Sequence, residues 1–269
     1  MDKVLLSKRI NEILDKNGYI RVSELAKEFN ITESSMNYTL KKEGYREKDI
    51  FVQLPKGYIK SFEEVDEEAS YWLGYLQADG CINSSGGRPR LILECKSEDR
   101  ELLENFCDFT KINKKRIKDT QHKNSSGSIS FSVRLDLYKT SFSVFPNKWL
   151  KENKTLLDEE LPKDVIFYDY LLGLIDGDGG FYEGKRGSQL KLLCREPMLS
   201  QIVTQLRKDL PHPTSIWKKE HPKTKGLYEL IIGNGKNNDN FKFLYNQFYL
   251  NKNYNSLKRK KEKLKQIIT

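Results

Sequence analysis

Residues 170–181 read YLLGLIDGDGGF, and this stretch decides the fold. Six apolar side chains stand beside two acids and four glycines within twelve residues. The pattern predicts a helix that packs tightly for about two turns and then presents carboxylates at a glycine-rich end.

A second copy of this pattern lies earlier in the chain. YWLGYLQADG at 71–80 aligns without gaps with YLLGLIDGDG at 170–179, so Asp79 and Asp178 stand 99 residues apart. In each copy a hairpin-like stretch follows, and its second strand ends in Cys95 or Cys194, 16 residues beyond the aspartate. A helix, a second strand pair and a closing helix come next. The sequence therefore predicts an α+β fold of two pseudo-symmetric α-β-β-α-β-β-α repeats.

Small residues recur at helical spacing inside both motif helices. They are Gly74 with Ala78, and Gly173 with Gly177. A smooth face of this kind lets two helix backbones approach closely, which brings both C-terminal aspartates together.

Two acids placed this close together require a nearby cation. A helix C-terminus carries partial negative charge, and two nearby carboxylates repel each other. Mg²⁺ prefers oxygen ligands and takes one or two carboxylates with several waters. Asp79 and Asp178 are therefore the candidate metal ligands, with Gly80 and Gly179 permitting close approach at the helix ends. The pattern predicts a shared metal site for a phosphate substrate.

The motif carries a family resemblance. LGLIDGDG closely, and LGYLQADG more loosely, resembles the LAGLIDADG motif of homing endonucleases. LPKDVIFYDYLLGLIDGDGGFY and FLYNQFYLNKNYNSLKRKKEKL are similar to that family too, so the resemblance covers residues 62–262. It implies a monomer that cuts both strands of a long, asymmetric double-stranded DNA target, using Mg²⁺ or, as a substitute, Mn²⁺. The last acid of each motif, Asp79 and Asp178, would be the metal ligand, whereas Gln77 departs from the pattern at a structural position.

The resemblance also implies further site residues. A basic residue often lies near the cleaved phosphate where the last strand meets the last helix, and Lys139 and Lys236 are the candidates, 60 and 58 residues after their aspartates. An ordinary phosphate-binding or solvated lysine is the alternative for each. Cys95 and Cys194 stand where the family often has a polar residue, or are buried core thiols.

The four strands of each repeat are expected to form a DNA-binding saddle whose face lies along the major groove. Because strand side chains alternate, only every second residue can reach DNA. The candidate contacts are Arg88, Arg90, Lys114, Arg116, Lys118 and Arg134 in the first repeat, and Lys185, Arg186, Gln189, Lys191, Lys218 and Lys223 in the second.

The N-terminal residues predict a small all-α unit of three helices, with Ser23 and Thr32 as N-caps. SELAKEFNITESSMNYTL resembles the helix-turn-helix of many bacterial regulators, in which the third helix enters the major groove. That helix would present Ser34, Ser35, Asn37, Tyr38 and Lys41. A plain three-helix cap or an oligomerisation module is the alternative.

These patterns divide the chain into a helix-turn-helix domain at 1–44, a linker at 45–61, and repeats at 62–164 and 165–269. The net charge of +9 favours a polyanion partner, and residues 165–269 carry +9 of it by themselves. No apolar run approaches a membrane span, no signal peptide is recognisable and no GxxxxGK[ST] motif occurs. We therefore expect a cytoplasmic protein, bacterial or phage-encoded with an organellar origin as the alternative, that uses no nucleotide cofactor. The four cysteines lack metal-binding spacing, which favours reduced thiols over zinc.

Two further functions fit the same residues. A catalytically inactive scaffold could act as a DNA-binding regulator, and a basic surface could serve an RNA-splicing maturase. Retention of both Asp79 and Asp178, despite their electrostatic cost, favours the nuclease.

Overall fold

The computed structural model describes residues 3–17, 20–45, 50–51, 62, 65–83, 90–123, 127–138, 160–184, 187–222 and 224–269. Within these ranges the chain forms two four-stranded antiparallel sheets with packed helices, and a short parallel strand pair near the N-terminus. The predicted α+β class is confirmed. No helix in the described ranges is both long and apolar enough to cross a membrane.

The N-terminal part contains three helices with a core of their own. Leu6, Ile10, Leu25, Met36 and Leu40 are buried in it. The elements are α1 (Lys3–Asn17), β1 (Ile20–Arg21), α2 (Val22–Glu28), α3 (Glu33–Lys42) and β2 (Ile50–Phe51), with β1 and β2 paired.

One of the two predicted N-caps in this part is confirmed. The Thr32 hydroxyl oxygen accepts a hydrogen bond from the Ser35 amide at 3.2 Å and caps α3. The other prediction is wrong: α2 begins at Val22, which places Ser23 inside the helix. The role of these helices in binding DNA stays a prediction.

The first repeat runs from a motif helix into one sheet. Its helix begins after an N-cap, Asp66, whose carboxylate accepts a hydrogen bond from the Ala69 amide at 2.8 Å. The elements are α4 (Glu67–Asp79), β3 (Cys81–Asn83), β4 (Arg90–Lys96), α5 (Arg100–Thr110), β5 (Lys118–Lys123) and β6 (Ile129–Tyr138), with strand order β3-β4-β6-β5. The predicted closing helix of this repeat lies in 139–159, outside the described residues.

The second repeat has the same order of elements through its four strands, and two helices follow the last strand. Its elements are α6 (Phe167–Asp178), β7 (Gly179–Gly184), β8 (Gly187–Arg195), α7 (Met198–Asp209), β9 (Ile216–Glu220), β10 (Leu227–Gly233) and α8 (Asp239–Tyr249), followed by α9 (Lys258–Ile268). Its strand order is β7-β8-β10-β9, the counterpart of the first sheet. Sequence analysis did not predict α9, because KRKKEKLKQII resembles a solvated basic tail.

Strand register repeats between the two sheets with constant offsets. Cys81 pairs with Ile92, and Gly180 pairs with Lys191, so both partners shift by 99 (180 − 81 and 191 − 92). The pair of Arg90 with Tyr138 in β4 and β6 corresponds to that of Gln189 with Gly233 in β8 and β10, with shifts of 99 (189 − 90) and 95 (233 − 138). The predicted pseudo-symmetry thus extends to individual hydrogen-bonded pairs.

The two motif helices cross at their glycines. A Cβ atom built on Gly74 would lie 2.1 Å from the Tyr170 carbonyl oxygen, and one on Gly173 would lie 2.0 Å from that of Tyr71. Real side chains cannot approach so closely, so only glycine permits this backbone contact. One continuous core surrounds the crossing and includes Trp72.

Candidate active site and nucleic-acid interface

The last residues of α4 and α6 are the two aspartates of the repeated motif, Asp79 and Asp178. A Cβ atom built on Gly177 would lie 2.3 Å from the Ala78 Cβ and 3.4 Å from the Asp79 Cγ. The Asp79 carboxyl group therefore lies against the end of α6, one residue before Asp178. The crossing brings the two predicted acids to the same place on the molecule.

The two carboxyl groups differ in their surroundings. Asp178 is exposed, whereas Asp79 is half-buried. The Tyr75 hydroxyl is hydrogen-bonded to Asp79, and burial together with the Asp79 charge raises the pKa of Tyr75 well above its usual value. Tyr75 therefore stays protonated and, as the donor, fixes the Asp79 carboxylate.

The earlier acid of the second motif, Asp176, is buried behind these two. Its Oδ2 accepts hydrogen bonds from the Tyr71 hydroxyl and the Leu257 amide, each at 2.8 Å. Burial raises the pKa of Asp176 to about 6, although the Lys260 charge and these hydrogen bonds act in the opposite direction. Asp176 thus ties α6 to α4 and to the start of α9.

Lys260 of α9 is a site residue that sequence analysis missed. Its side chain is buried, and its ammonium group donates to the carbonyl oxygens of Ile175 at 2.6 Å, Asp176 at 2.7 Å and Gly179 at 2.7 Å. Burial lowers the pKa of Lys260 to about 8, against the charges of the surrounding aspartates. The lysine thus adds a second hydrogen bond to the Ile175 carbonyl, which already accepts from the Gly179 amide, and donates to two further carbonyls at the end of the helix.

This lysine changes the expected ligand set. A divalent cation at the Gly179 carbonyl oxygen would lie against the Lys260 ammonium group and be repelled by it. The Gly179 carbonyl is therefore a poor metal ligand, whereas Gly80 at the end of α4 stays a predicted one. One pattern could have revealed Lys260: Leu257, Lys260 and Leu264 share the apolar stripe of α9.

The residue before Lys260 reaches the first repeat. The Arg259 Nε donates to both carboxylate oxygens of Asp99, at 3.1 and 3.0 Å. Asp99 immediately precedes α5. The start of α9 therefore joins the two repeats beside the paired helix ends.

A cavity of about 270 Å³ opens next to Asp79. Tyr75, Cys95, Asp176 and Arg259 also line it. Burial raises the pKa of the Cys95 thiol to about 12, so Cys95 is a protonated thiol beside the acids.

Cys194 occupies the equivalent position in the second repeat and is buried in the core. Burial raises the pKa of its thiol to about 12 as well. All four cysteines are free, and only Cys107 and Cys194 are fully buried.

The acids at the helix ends fit a hard divalent cation. No group of three or more histidine, cysteine or acidic side chains that could hold a metal occurs among the described residues. A pair of carboxylates with water completing the coordination is nevertheless a usual environment for Mg²⁺. Asp79 and Asp178 could supply that pair.

One face of each sheet packs against the core. We call the opposite face the open face. In β4, Leu91 and Leu93 are buried, which places Arg90 on the open face by alternation. Arg134 and Lys118 lie on the same face, because Glu94 pairs with Arg134 and Arg134 pairs with Lys118. Three predicted DNA contacts therefore share the open face of the first sheet.

Two other predicted DNA contacts of this repeat lie just before β5 within the described residues. The Lys114 ammonium group pairs with Asp108 at 2.7 Å, and an Arg116 Nη donates to the Asp136 carbonyl at 2.9 Å. Both side chains are exposed. Their charges are accessible to a polyanion at the edge of the sheet.

A carboxylate that sequence analysis did not single out occupies the middle of this open face. Glu94 Oε1 accepts from the hydroxyl groups of Thr120 and Ser132 and lies within hydrogen-bond distance of His122 Nε2. These groups come from three adjacent strands. Glu94 lies beside the oppositely charged Arg134 of β6. The open face therefore carries both negative and positive charge.

The second sheet presents Gln189 and Lys191 on its open face. Gln189 pairs with Tyr182, a residue that is 55% exposed. The Lys191 ammonium group lies 5.6 Å from the centre of the Tyr182 ring and 3.5 Å from Glu229. Trp217, 41% exposed, lies on the same face opposite Ile231.

Lys218 lies on the other face of this sheet. It pairs with the core residue Leu230, and its ammonium group binds Glu196 at 2.6 Å. Its neighbour Lys219 pairs with Glu229 and is exposed on the open face. The segment IWKKE has no apolar alternation, so the sequence could not decide which lysine faces DNA.

The structure places Lys236 beside Gln189. Both line a polar pocket together with Ser188 and Asn234. Gly179 pairs with Leu192, four residues along β8 from Ser188, which corresponds to about 13 Å along the sheet. A role for Lys236 near the cleaved phosphate stays a prediction.

In α3, Ser34, Ser35, Tyr38 and Lys41 are exposed and Asn37 is half-buried. Five other predicted site residues lie outside the described residues. They are Arg88, Lys139, Lys185, Arg186 and Lys223.

The fold matches solved structures of DNA-bound enzymes. The homing endonuclease I-WcaI bound to its DNA recognition sequence superposes with a TM-score of 0.52 at 15% identity, over 76% of this chain and 90% of that one. This chain has the LAGLIDADG homing-endonuclease fold. In that fold, α4 and α6 are the two LAGLIDADG helices.

Two weaker matches carry the same motif name. The LAGLIDADG homing endonuclease I-LtrWI bound to target DNA gives a TM-score of 0.43 at 13% identity, over 76% of this chain and 90% of that one. The N-terminal LAGLIDADG domain of WhiA gives 0.42 at 14% identity, over 66% and 79%. No protein-family model and no curated protein sequence matches this chain. The likeness to I-WcaI shows the fold of this chain alone.

Proposed function

We propose that this protein is a site-specific endonuclease that cuts both strands of a long, asymmetric DNA target. One observation carries the proposal: the crossing of α4 and α6 sets Asp79 against the residue that precedes Asp178. Two carboxylates at two helix C-termini are unfavourable together unless a cation lies nearby. A metal site for phosphodiester hydrolysis would explain why two carboxylates are placed together despite their repulsion.

Asp79 and Asp178 would hold Mg²⁺, with Mn²⁺ as a substitute and the Gly80 carbonyl as a further ligand. Bound metal would lower the pKa of a water molecule and stabilise the departing 3′-oxygen. Tyr75 would keep Asp79 in place through its hydrogen bond. The half-buried position of Asp79 would limit its freedom to rotate away.

The open faces of the two sheets would lie along the DNA. Arg90 and Gln189 occupy equivalent register positions (189 − 90 = 99) and are suited to reading bases through paired hydrogen bonds. The lysines would neutralise phosphates, which gives affinity but no sequence preference. We assign Lys219, rather than Lys218, to this set. A single chain with both repeats would act as a monomer.

A DNA-binding regulator on the same scaffold is the second candidate. Helices α1–α3 have a core of their own, and exposed polar residues of α3 would suit a major groove. Lys260 also supplies a protein cation beside the acids, so the acids could persist without a metal.

The deciding experiment is cleavage of a randomised duplex library by the wild type, Asp79→Asn and Asp178→Asn, with Mg²⁺ present or chelated. We expect a defined site to be cut on both strands by the wild type only, and only with metal. Asp119→Asn, an exposed acid on β5, is the matched control and should cut normally. Selective binding without any cut would reject the nuclease and leave the regulator.

A further inference from the structure

The ammonium group of Lys260 is the unusual feature of the site. A lysine side chain is seldom buried, yet Lys260 is only 6% exposed. Its three acceptors are backbone carbonyls at the end of α6, at 2.6 to 2.7 Å. A buried ammonium group needs compensating negative charge as well as hydrogen bonds.

That charge comes from the acids of the LAGLIDADG helices. Burial and the nearby Arg259 charge oppose the protonated form of Lys260, whereas the charges of Asp176, Asp79 and Asp178 favour it. Asp79 belongs to α4, whereas Asp176 and Asp178 belong to α6. The lysine therefore experiences the charges of both helix ends at once.

Neighbouring contacts prevent Lys260 from withdrawing. The Leu257 amide donates to Asp176 at 2.8 Å, and Arg259 binds Asp99 of the first repeat. Further along α9, Lys263 pairs with Glu183 of β7. These contacts fix α9 on both repeats, so that Lys260 stays at the end of α6.

We propose that Lys260 is the protein's own counter-cation for the acidic cluster of Asp79, Asp176 and Asp178, a positioning residue that keeps the two helix ends assembled before a metal binds. This proposal rests on the proposed function in taking Asp79 and Asp178 as the metal ligands. Without the lysine, the acids would repel each other until Mg²⁺ arrived. With it, the site is already in place when DNA and metal meet.

The test is a double-mutant cycle measured by thermal unfolding in chelator, without DNA. Lys260→Met removes the charge and keeps the length of the side chain. Because it leaves buried carbonyls and acids uncompensated, we expect the melting temperature to fall by about 5–10 °C. Adding Asp79→Asn should recover at least about 2 °C of that loss, since it removes one of the repelling charges.

Magnesium gives a second readout. Excess Mg²⁺ should raise the melting temperature of Lys260→Met by at least about 2 °C more than that of the wild type, because the metal takes over the role of the missing cation. Lys265→Met, an exposed lysine of the same helix, should match the wild type in both measurements. If Lys260→Met does not fold, Lys260→Gln replaces it in the same cycle.

A lysine with a packing role alone would lower stability without these couplings. Additive effects of Lys260→Met and Asp79→Asn, together with equal Mg²⁺ increments, would overturn the proposal. The cycle uses neither DNA nor metal, so it gives a result even for a chain that never cuts DNA. Conversely, cleavage that needs both aspartates combined with an additive cycle would leave the nuclease intact and remove only the role of Lys260.

Discussion

The Glu94 carboxylate on the first open face depends on neighbours that lie far away in the sequence. Thr120, Ser132 and His122 surround it from two other strands. Burial alone raises the pKa of Glu94, but the hydrogen bonds of these groups outweigh burial and lower it. A lowered pKa in the folded protein stabilises the fold above the unfolded pKa, and this stabilisation disappears as pH falls through the folded value.

We expect Glu94→Gln to lower the melting temperature at about pH 7 by roughly 2–4 °C, allowing for partial solvent screening. The difference should shrink as pH falls through the lowered folded pKa of Glu94, because the wild-type carboxylate then becomes protonated. Thermal unfolding by circular dichroism across a pH series measures this. Glu98→Gln is the control, since its only partner in the described structure is the exposed Lys96 at 3.5 Å. An equal loss of melting temperature at every pH would contradict this role of the Glu94 carboxylate.

At the scale of elements, the crossing of the LAGLIDADG helices depends on glycines, which have no side chain. A Cβ atom on Gly173 would meet the Tyr71 carbonyl oxygen at 2.0 Å. Backbone cannot move aside as the end of a flexible side chain can, so the helices would have to separate.

We therefore predict that Gly173→Ala destabilises the fold by at least about 2 kcal/mol, despite the better helix propensity of alanine. Denaturant unfolding of the purified protein gives this free energy. Gly184→Ala is a matched control, because its Cβ atom would meet only the Gly187 carbonyl oxygen, at 3.4 Å. A Gly173→Ala protein as stable as the wild type would mean that the helices are not in backbone contact.

Strand β9 gives a second prediction at this scale, since adjacent lysines take opposite faces. Lys219→Ala should reduce the slope of log K against log salt for duplex DNA by about 0.9, the value for one phosphate contact. Lys218→Ala should leave that slope unchanged and lower the melting temperature, because it breaks the pair with Glu196. Fluorescence anisotropy across a salt series compares the two. A reversed result would show that the other face of the sheet meets DNA.

At the scale of the whole molecule, two separate cores divide the described residues. Leu6 and Met36 belong to the N-terminal core, whereas Phe62 packs against Phe109 in the core of the repeats. Neither cluster includes a residue of the other. The repeats should therefore not depend on α1–α3 for their folding.

We predict that residues 62–269 alone fold cooperatively, with a melting temperature within about 3 °C of the main transition of the full chain. Calorimetry of both proteins measures this. Specific DNA binding should weaken in the shorter protein if α3 contacts DNA, and stay unchanged if the N-terminal helices have another role. An aggregated or unfolded 62–269 protein would refute the independence of the two cores.

The sequence alone determined the repeated architecture. The motif helices, the small-residue faces and the order of strands follow from periodicity and from the offset of 99 between Asp79 and Asp178. Those signals are local, or repeat along the chain, so they need no knowledge of distant contacts. The same reasoning placed the two aspartates at the ends of crossing helices.

Only the tertiary structure decided what surrounds these aspartates. Lys260 reaches Asp176 from 84 residues away, and no local pattern states which helix end a lysine will meet. The choice between Lys218 and Lys219 follows from the pairing of β9 with β10, since a shift of one residue reverses every side chain. Local preference fixes elements and their order, whereas long-range packing and pairing fix which charge faces which partner.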